Sequence, residues 1–352
     1  MFFYIHIPFC RQKCQYCKFA LTPKFDELKI STYLHVLKKE IGDFFESNTH
    51  VSVETIYFGG GTPSILTAHQ LEEILSIFRR QPGSQSLSEI TLESNPEDIT
   101  REYLRSLYDI WINRLSLGVQ TFNTDTLRIV WRSDSNTYIF SALKSIAEGP
   151  IENISCDLIA GLPHTSPWQI VSDLTTLFEI MSPKHMSIYM LEDETYPKNW
   201  KPHLGGEETV RSEYLAGALW LKTRGFEQYE ISNFAKPGFA SKHNTSYWNH
   251  SPYRGFGLSA ASYIDGSRST NHTSFSGYYQ GKHTIDVLSS ESLRIERIMF
   301  GLRTCWVATT DLDDPKKVEI LLHGWLIEKR ENKVFLTSTW IFLIDYIIGE
   351  LI

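Results

Sequence analysis

The sequence is poor in cysteine, carries no excess of basic charge and holds no long apolar run. Only 5 of its 352 residues are cysteine. That is too few for a disulfide framework, and three of them fall together near the start, as a bound inorganic centre in a reducing compartment would require. Lys and Arg number 34 against 41 Asp and Glu, for a formal net charge of -7. Such a balance argues against nucleic acid as a partner, because a phosphate backbone is held mainly by cations. No stretch approaches the roughly 20 consecutive apolar residues of a membrane span. The first residues lack the basic region and long apolar core of a signal peptide, so none is expected. A cytoplasmic location is expected, with peripheral attachment to a membrane left open. Low-complexity segments and short repeats are also missing. What remains is ordinary globular composition, 42% hydrophobic and 21% charged, in a chain long enough for two domains or one large α/β domain with an appendage.

Apolar spacing predicts strands over residues 2–7, 53–58, 89–93, 114–120, 154–159 and 185–191. Helical spacing separates them, over 29–45, 67–80, 100–109, 125–130 and 136–148, from Ser166 onward, and over 207–223. Thr67 and Gln70 have capping-box form, and Ser166-Pro167-Trp168-Gln169 combines an N-cap, a proline at N1 and a capping-box glutamine. Strands alternating with helices imply parallel pairing with right-handed crossovers. We therefore expect an α/β fold with a partial (β/α)6 barrel over 1–225. Residues 226–285, rich in Gly, Ser, Asn, His and aromatics, are expected to connect it to a small, mostly helical, winged-helix-like module over 286–352. Within the connection, 266–284 reads as a polar loop. The last stretch, 340–352, is apolar but interrupted by Asp345 and Glu350 and reads as a docking helix. The module has no basic stripe, so packing or a lid role is expected of it rather than DNA binding.

The organising feature is Cys10-Arg11-Gln12-Lys13-Cys14-Gln15-Tyr16-Cys17, directly after the first strand. An iron–sulfur cubane normally takes one thiolate per iron, so three thiolates leave one iron open to chemistry. A zinc knuckle short of one ligand is the alternative, with His6 as a candidate fourth donor. Polar or glycine signals stand at the other strand ends too: Gly59-Gly60-Gly61-Thr62-Pro63, Glu93, Gln120 and Asp157, with Arg132 beyond. Carboxyl ends of parallel strands are where ligands bind. Glycines there let backbone approach a ligand closely, although a tight strand–helix turn explains them equally. Buried charges at such positions need partners, which an internal ion pair would also supply. Cys156 alternates to the face opposite Asp157 and reads as a core thiol, as does Cys305. His243-Asn244-Thr245-Ser246-Tyr247-Trp248 places an imidazole beside flat aromatic rings, which suits a porphyrin; a satisfied surface histidine is the competing reading.

Taken in order, these motifs resemble the HemN/HemW group of radical S-adenosylmethionine (SAM) proteins. The resemblance rests on Tyr4-Ile5-His6-Ile7-Pro8-Phe9 with the cysteine loop, and on Phe58-Gly59-Gly60-Gly61-Thr62-Pro63. Glu93-Ser94-Asn95-Pro96, Ser116-Leu117-Gly118-Val119-Gln120-Thr121-Phe122 and Asp157-Leu158-Ile159-Ala160-Gly161-Leu162-Pro163 continue it. It implies a 4Fe–4S cluster on Cys10, Cys14 and Cys17, whose fourth iron is chelated by SAM. It also implies a SAM site lined by Tyr4, Tyr16, Gly60, Gly61, Thr62, Glu93, Gln120, Arg132 and Asp157, with Arg132 on the methionine carboxylate and Glu93 on ribose. One branch of the group resembles an anaerobic coproporphyrinogen III dehydrogenase and carries a fourth cysteine two residues after the third. Here that position is Phe19. The other branch is similar to heme chaperones and carries a histidine–asparagine–x–x–tyrosine–tryptophan motif, matched by His243 to Trp248. The resemblance thus implies heme as cargo, bound through His243 and passed to a membrane-bound or other acceptor protein, with porphyrinogen dehydrogenation as the alternative. Two departures stand in Gly255-Phe256-Gly257-Leu258-Ser259-Ala260-Ala261-Ser262, where Ser259 replaces a glycine of the group and Ala261 a histidine. A third lies near Trp340, where a glycine usual in the group is missing.

Overall fold

The computed structural model describes residues 1–132, 136–191, 197–304, 306–337 and 342–352. Cys305 and Trp340 lie outside the described residues. Six strands, β1 (Phe2–Ile7), β2 (Thr55–Gly60), β3 (Glu89–Ser94), β4 (Arg114–Gln120), β5 (Asn153–Ala160) and β6 (His185–Met190), lie side by side in sequence order. Each pairs in parallel with the next. Between and after them run α1 (Glu27–Ser47), α2 (Ala68–Arg79), α3 (Arg101–Asp109), α4 (Thr124–Ile129), α5 (Asn136–Ala147), α6 (Gln169–Ile180) and α7 (Glu207–Thr223). This is the expected α/β architecture with a partial barrel.

Each strand sorts its side chains by parity. Phe3, Ile5, Ile56, Phe58, Ile90, Leu92, Leu115, Leu117, Ile154, Cys156, Met186 and Ile188 are buried in the apolar core. Phe3, for example, packs on Phe44, Phe45 and Phe78 of α1 and α2, with ring centroids 5.9, 5.5 and 5.2 Å away. The alternate residues face the inside of the curved sheet and bond across it: Tyr57 to Glu93, Ser116 to Asp157, Ser155 to His185. The lumen is therefore polar and the helix-covered face apolar.

Helix starts follow local chemistry where the side chains are free to cap. At α2 the Gln70 N–H donates to Thr67 Oγ1 at 3.2 Å and the Thr67 N–H to Gln70 Oε1 at 2.9 Å, the expected capping box. At α6 the expectation needs correcting. The helix begins at Gln169, with Trp168 at the N-cap offering no side-chain bond. Ser166 accepts the Gln169 N–H through its carbonyl, and the Gln169 side chain is drawn to Asp173, 2.8 Å away.

The stretch after α7 is not merely connecting. β7 (Glu227–Gln228) and β8 (Asn233–Ala235) add antiparallel strands beside β6. After α8 (Lys242–Trp248), β9 (Tyr253–Phe256) returns to the opposite edge and pairs in parallel with β1. β10 (Ala261–Ile264), β11 (Ser267–Asn271), α9 (Phe275–Tyr279) and β12 (His283–Val287) follow, and the three strands extend that edge antiparallel. Among the described residues the sheet thus reaches twelve strands, running from β12 to β7 without closing. The expected polar loop over 266–284 in fact holds strand β11, a short helix and the start of the edge strand β12. Its residues are exposed or only half-buried apart from Gly277 and Tyr278, so no apolar alternation marked it.

The C-terminal part is α10 (Ser290–Arg303), β13 (Trp306–Ala308), α11 (Pro315–His323), β14 (Ile327–Arg330), β15 (Lys333–Leu336) and α12 (Ile344–Leu351), with a separate three-stranded antiparallel sheet in the order β13-β15-β14. Its apolar residues Ile298, Leu302, Val307, Leu321 and Ile347 join the main core. Among the described residues no helix is long and apolar enough to cross a membrane.

Candidate functional site

A cleft of about 530 Å³ opens at the carboxyl ends of the parallel strands. It falls within the range of small-molecule sites. Its walls include Cys10, Cys14, Cys17, Tyr16, Gly60, Gly61, Thr62, Glu93, Gln120, Arg132 and Asp157. The cysteine loop is tied down at its start and in the middle, and turns on itself at its end. The Cys10 N–H donates to the Thr22 carbonyl at 3.2 Å, and the Cys17 N–H to the Cys14 carbonyl at 3.1 Å. Gln15 donates from its backbone to the Val130 carbonyl at 3.1 Å and accepts from the indole of the fully buried Trp200 at 2.7 Å.

From Cys10 a run of hydrogen bonds circles the cleft. The Thr62 hydroxyl donates to Cys10 Sγ at 3.1 Å. Asn95 Nδ2 donates to Thr62 Oγ1 at 3.2 Å, and Arg132 Nη2 to Asn95 Oδ1 at 3.1 Å. Arg132 also donates to the Gly118 carbonyl and, through Nη1 at 3.2 Å, to the Tyr16 hydroxyl. Among the described residues those bonds use three of its five donors, which leaves two for a ligand carboxylate. Burial raises the Cys10 and Cys17 thiols above their usual range, against the hydrogen bonds each sulfur receives. Iron would displace those protons on binding. No three His, Cys, Asp or Glu side chains among the described residues converge as ligands of a single ion. A cluster that takes one thiolate per iron does not require the three thiols to converge on one ion.

The glycine run earns its place through protein contacts. A Cβ on Gly61 would stand 2.5 Å from the Phe9 carbonyl oxygen, and its N–H donates to Ile7 at 2.8 Å. At Gly60, φ is +108° and a Cβ would meet the His6 ring at 2.4 Å. These residues seat the turn against the cysteine loop. Gln120 sits at a register shift in β4 with φ +70°, a left-handed conformation that turns it into the cleft mouth.

On the floor, Glu93 accepts from the Tyr57 hydroxyl at 2.8 Å and from the Gly60 N–H at 3.1 Å. Burial nevertheless pushes its carboxyl up to about 7. Asp157 accepts from Ser116 at 3.1 Å and is likewise raised by burial. Sequence reasoning missed Asn95, Ser116 and Tyr189 as cleft residues, and Trp200 as the brace. Asn95 had a signal, an Asn-Pro pair closing a strand; Trp200, 185 residues from its partner, had none.

Three singled-out residues lie apart from the cleft. Tyr4 stands beneath Gly59, its hydroxyl 3.0 Å from His6 Nδ1. His6 places Nε2 2.7 Å from the Ala20 carbonyl, so both its nitrogens serve the protein. His243 is at the amino end of the strands. Its Nδ1 lies 2.7 Å from Thr55 Oγ1 and its Nε2 2.9 Å from the Tyr247 hydroxyl. It is 1% exposed, and burial lowers its pKa to about 3. As it stands, the imidazole offers iron no free lone pair.

The Radical SAM superfamily model matches residues 4–177. "Heme chaperone HemW" of Lactococcus lactis subsp. lactis (strain IL1403) is 35% identical over 341 residues, 94% of this chain and 84% of that protein. The protein of the same name from Bacillus subtilis (strain 168) is 33% identical over 363 residues, 95% of this chain and 94% of its own.

The chain belongs to the HemW family.

The HemW fold here is also that of coproporphyrinogen III oxidase (HemN) from Escherichia coli, described as a radical SAM enzyme. That structure has a TM-score of 0.84 at 22% identity and covers 99% of this chain and 89% of its own. Membership of a radical SAM family implies a 4Fe–4S cluster and SAM, and the cleft carries the donors for both. Cys10, Cys14 and Cys17 offer thiolates, Arg132 offers cationic donors, and Glu93 and Asp157 offer acceptors.

Proposed function

We propose that this chain is a heme chaperone that binds heme as cargo and hands it to an acceptor protein. Cys10, Cys14 and Cys17 hold the cluster. Arg132 pairs with the methionine carboxylate of SAM and Glu93 with its ribose. Tyr16, Gly60, Gly61, Thr62, Gln120 and Asp157 line the remainder, and Tyr4 supports Gly59 from below. A reduced cluster with SAM supplies one-electron chemistry; here we assign the pair a gating role. Heme iron is ligated by His243. For that, Nε2 must part from the Tyr247 hydroxyl and α8 must lift from Glu89, which accepts the Lys242 and His243 N–H groups, each at 3.0 Å.

The observation that carries this reading is the cysteine loop. It presents three thiols to the cleft and, where a dehydrogenase-type loop has a fourth, the 64% exposed ring of Phe19 at the lip. The similarity to the Lactococcus lactis and Bacillus subtilis heme chaperones supports it as well. The test incubates anaerobically reconstituted protein with heme, and separately with coproporphyrinogen III, SAM and a reductant. Stable heme binding that depends on His243, without release of carbon dioxide, is expected. Catalytic decarboxylation would overturn the proposal in favour of the dehydrogenase.

A further inference from the structure

His243 and the cleft floor stand at opposite ends of the lumen, yet one line of contacts joins them. The Tyr57 ring lies on the imidazole with centroids 5.0 Å apart and planes at 28°. The Tyr57 hydroxyl donates to Glu93 Oε1 at 2.8 Å. The other Glu93 oxygen accepts the Gly60 N–H at 3.1 Å, and both Glu93 and Gly60 line the cleft. Glu89, on the same strand as Glu93, accepts from the start of α8. Strand β3 therefore holds the histidine helix with one carboxylate and the cleft with the next but one inward side chain.

From this geometry we propose that SAM in the cleft and iron on His243 oppose each other, through Tyr57 and Glu93. The proposal rests on the reading of His243 as the heme ligand. Two arrangements differ in contacts. With α8 docked, the imidazole fills the space against Tyr57, and the phenol is held where its hydroxyl reaches Glu93. With the imidazole withdrawn onto iron, one face of the Tyr57 ring loses its neighbour. Packed interiors do not leave such a gap open, so the ring moves toward it and away from Glu93. Glu93 then loses one of the two donors that fix it, and a carboxylate free to turn binds a ribose less well. Linkage makes the effect mutual: whatever factor heme takes from SAM affinity, SAM takes from heme affinity. Loading with heme would thereby discharge SAM, and SAM would hold the empty chaperone closed.

The test measures SAM affinity by calorimetry on cluster-loaded full-length protein with and without heme, and heme affinity from the Soret band with and without SAM. In the unaltered protein each ligand should weaken the other by one common factor, on the order of 5- to 10-fold. Tyr57→Phe keeps the ring on His243 but removes the hydroxyl, so both ligands should bind with a factor close to one. Tyr247→Phe relieves Nε2 of its hydrogen bond and should tighten heme binding. Circular dichroism confirms that each variant is folded. If heme binding needs His243 but leaves SAM affinity unchanged, or if Tyr57→Phe keeps the full factor, the coupling is overturned while the chaperone reading stands. If folded His243→Ala binds heme with unaltered spectrum and affinity, the reading beneath it has failed instead.

Discussion

Ser259 has φ +58°, the left-handed region that favours glycine, and its hydroxyl is buried without a partner among the described residues. The glycine that the resemblance leads one to expect at this place would have a backbone reason, and the serine is strained. Ser259→Gly should stabilise the fold by about 1 kcal/mol, the usual cost of a non-glycine residue there, read as a rise in the urea midpoint. Cys14→Ala leaves two thiolates to hold a cubane. It should abolish the visible iron–sulfur absorption of reconstituted protein, and retention of iron and sulfide at the unaltered ratio would refute the ligand assignment. Arg132→Ala should weaken SAM by about 1.5–3 kcal/mol, the range for hydrogen bonds to charged groups, with heme affinity unchanged or raised; calorimetry decides. Residues like these were legible because polar groups at apolar strand ends are conspicuous. The partners that hold them were not. Thr55 is 188 positions from His243, and nothing near Thr55 in sequence marks it.

Helix α8 shows what an element adds to its residues. Its motif reads as aromatic walls around an exposed imidazole, but the fold turns the imidazole inward. The helix is only seven residues long, and the Glu89 carboxylate and the Ser241 cap fix it by its N–H groups. This has a consequence for acid stability. Folded His243 is neutral, with a pKa lowered by burial to about 3, whereas an unfolded imidazole takes a proton near pH ~6.5. Between those values the unfolded chain binds more protons. The residue's contribution is therefore complete above the unfolded value and is lost as pH falls, at about 1.4 kcal/mol per pH unit. His243→Gln has no such slope, so its stability deficit should shrink by about 1.4 kcal/mol between pH ~7.5 and ~5.5 in urea unfolding. Glu93 and Glu213, raised by burial to about 7, titrate in the opposite direction. Both are present in either protein and drop from the difference. The strands and long helices were legible from period and caps. The outlying strands β11 and β12 were not, since a strand with no buried face shows no alternation.

At the scale of the molecule, the C-terminal sheet and the twelve-stranded sheet share one apolar core. Phe342 packs edge-on to Tyr214 with centroids 5.4 Å apart, and Phe300 to Trp248 at 5.7 Å. Thermal unfolding followed by far-ultraviolet circular dichroism and by tryptophan fluorescence should therefore give coincident transitions; two separated midpoints would contradict a common core.

The sorting of side chains along β1 to β6 reaches further. Odd and even positions of one strand answer to different demands, the outward set to packing and the inward set to chemistry. Two vocabularies are thus written into a single segment without sharing a letter. Inward residues can be exchanged for others of similar size and polarity while the scaffold is untouched, so the barrel can be refitted for a new ligand one strand at a time. The reverse does not hold. An outward change such as Phe58→Ala empties space in the core, typically at about 3–5 kcal/mol, and every reactive group on that strand shifts with it.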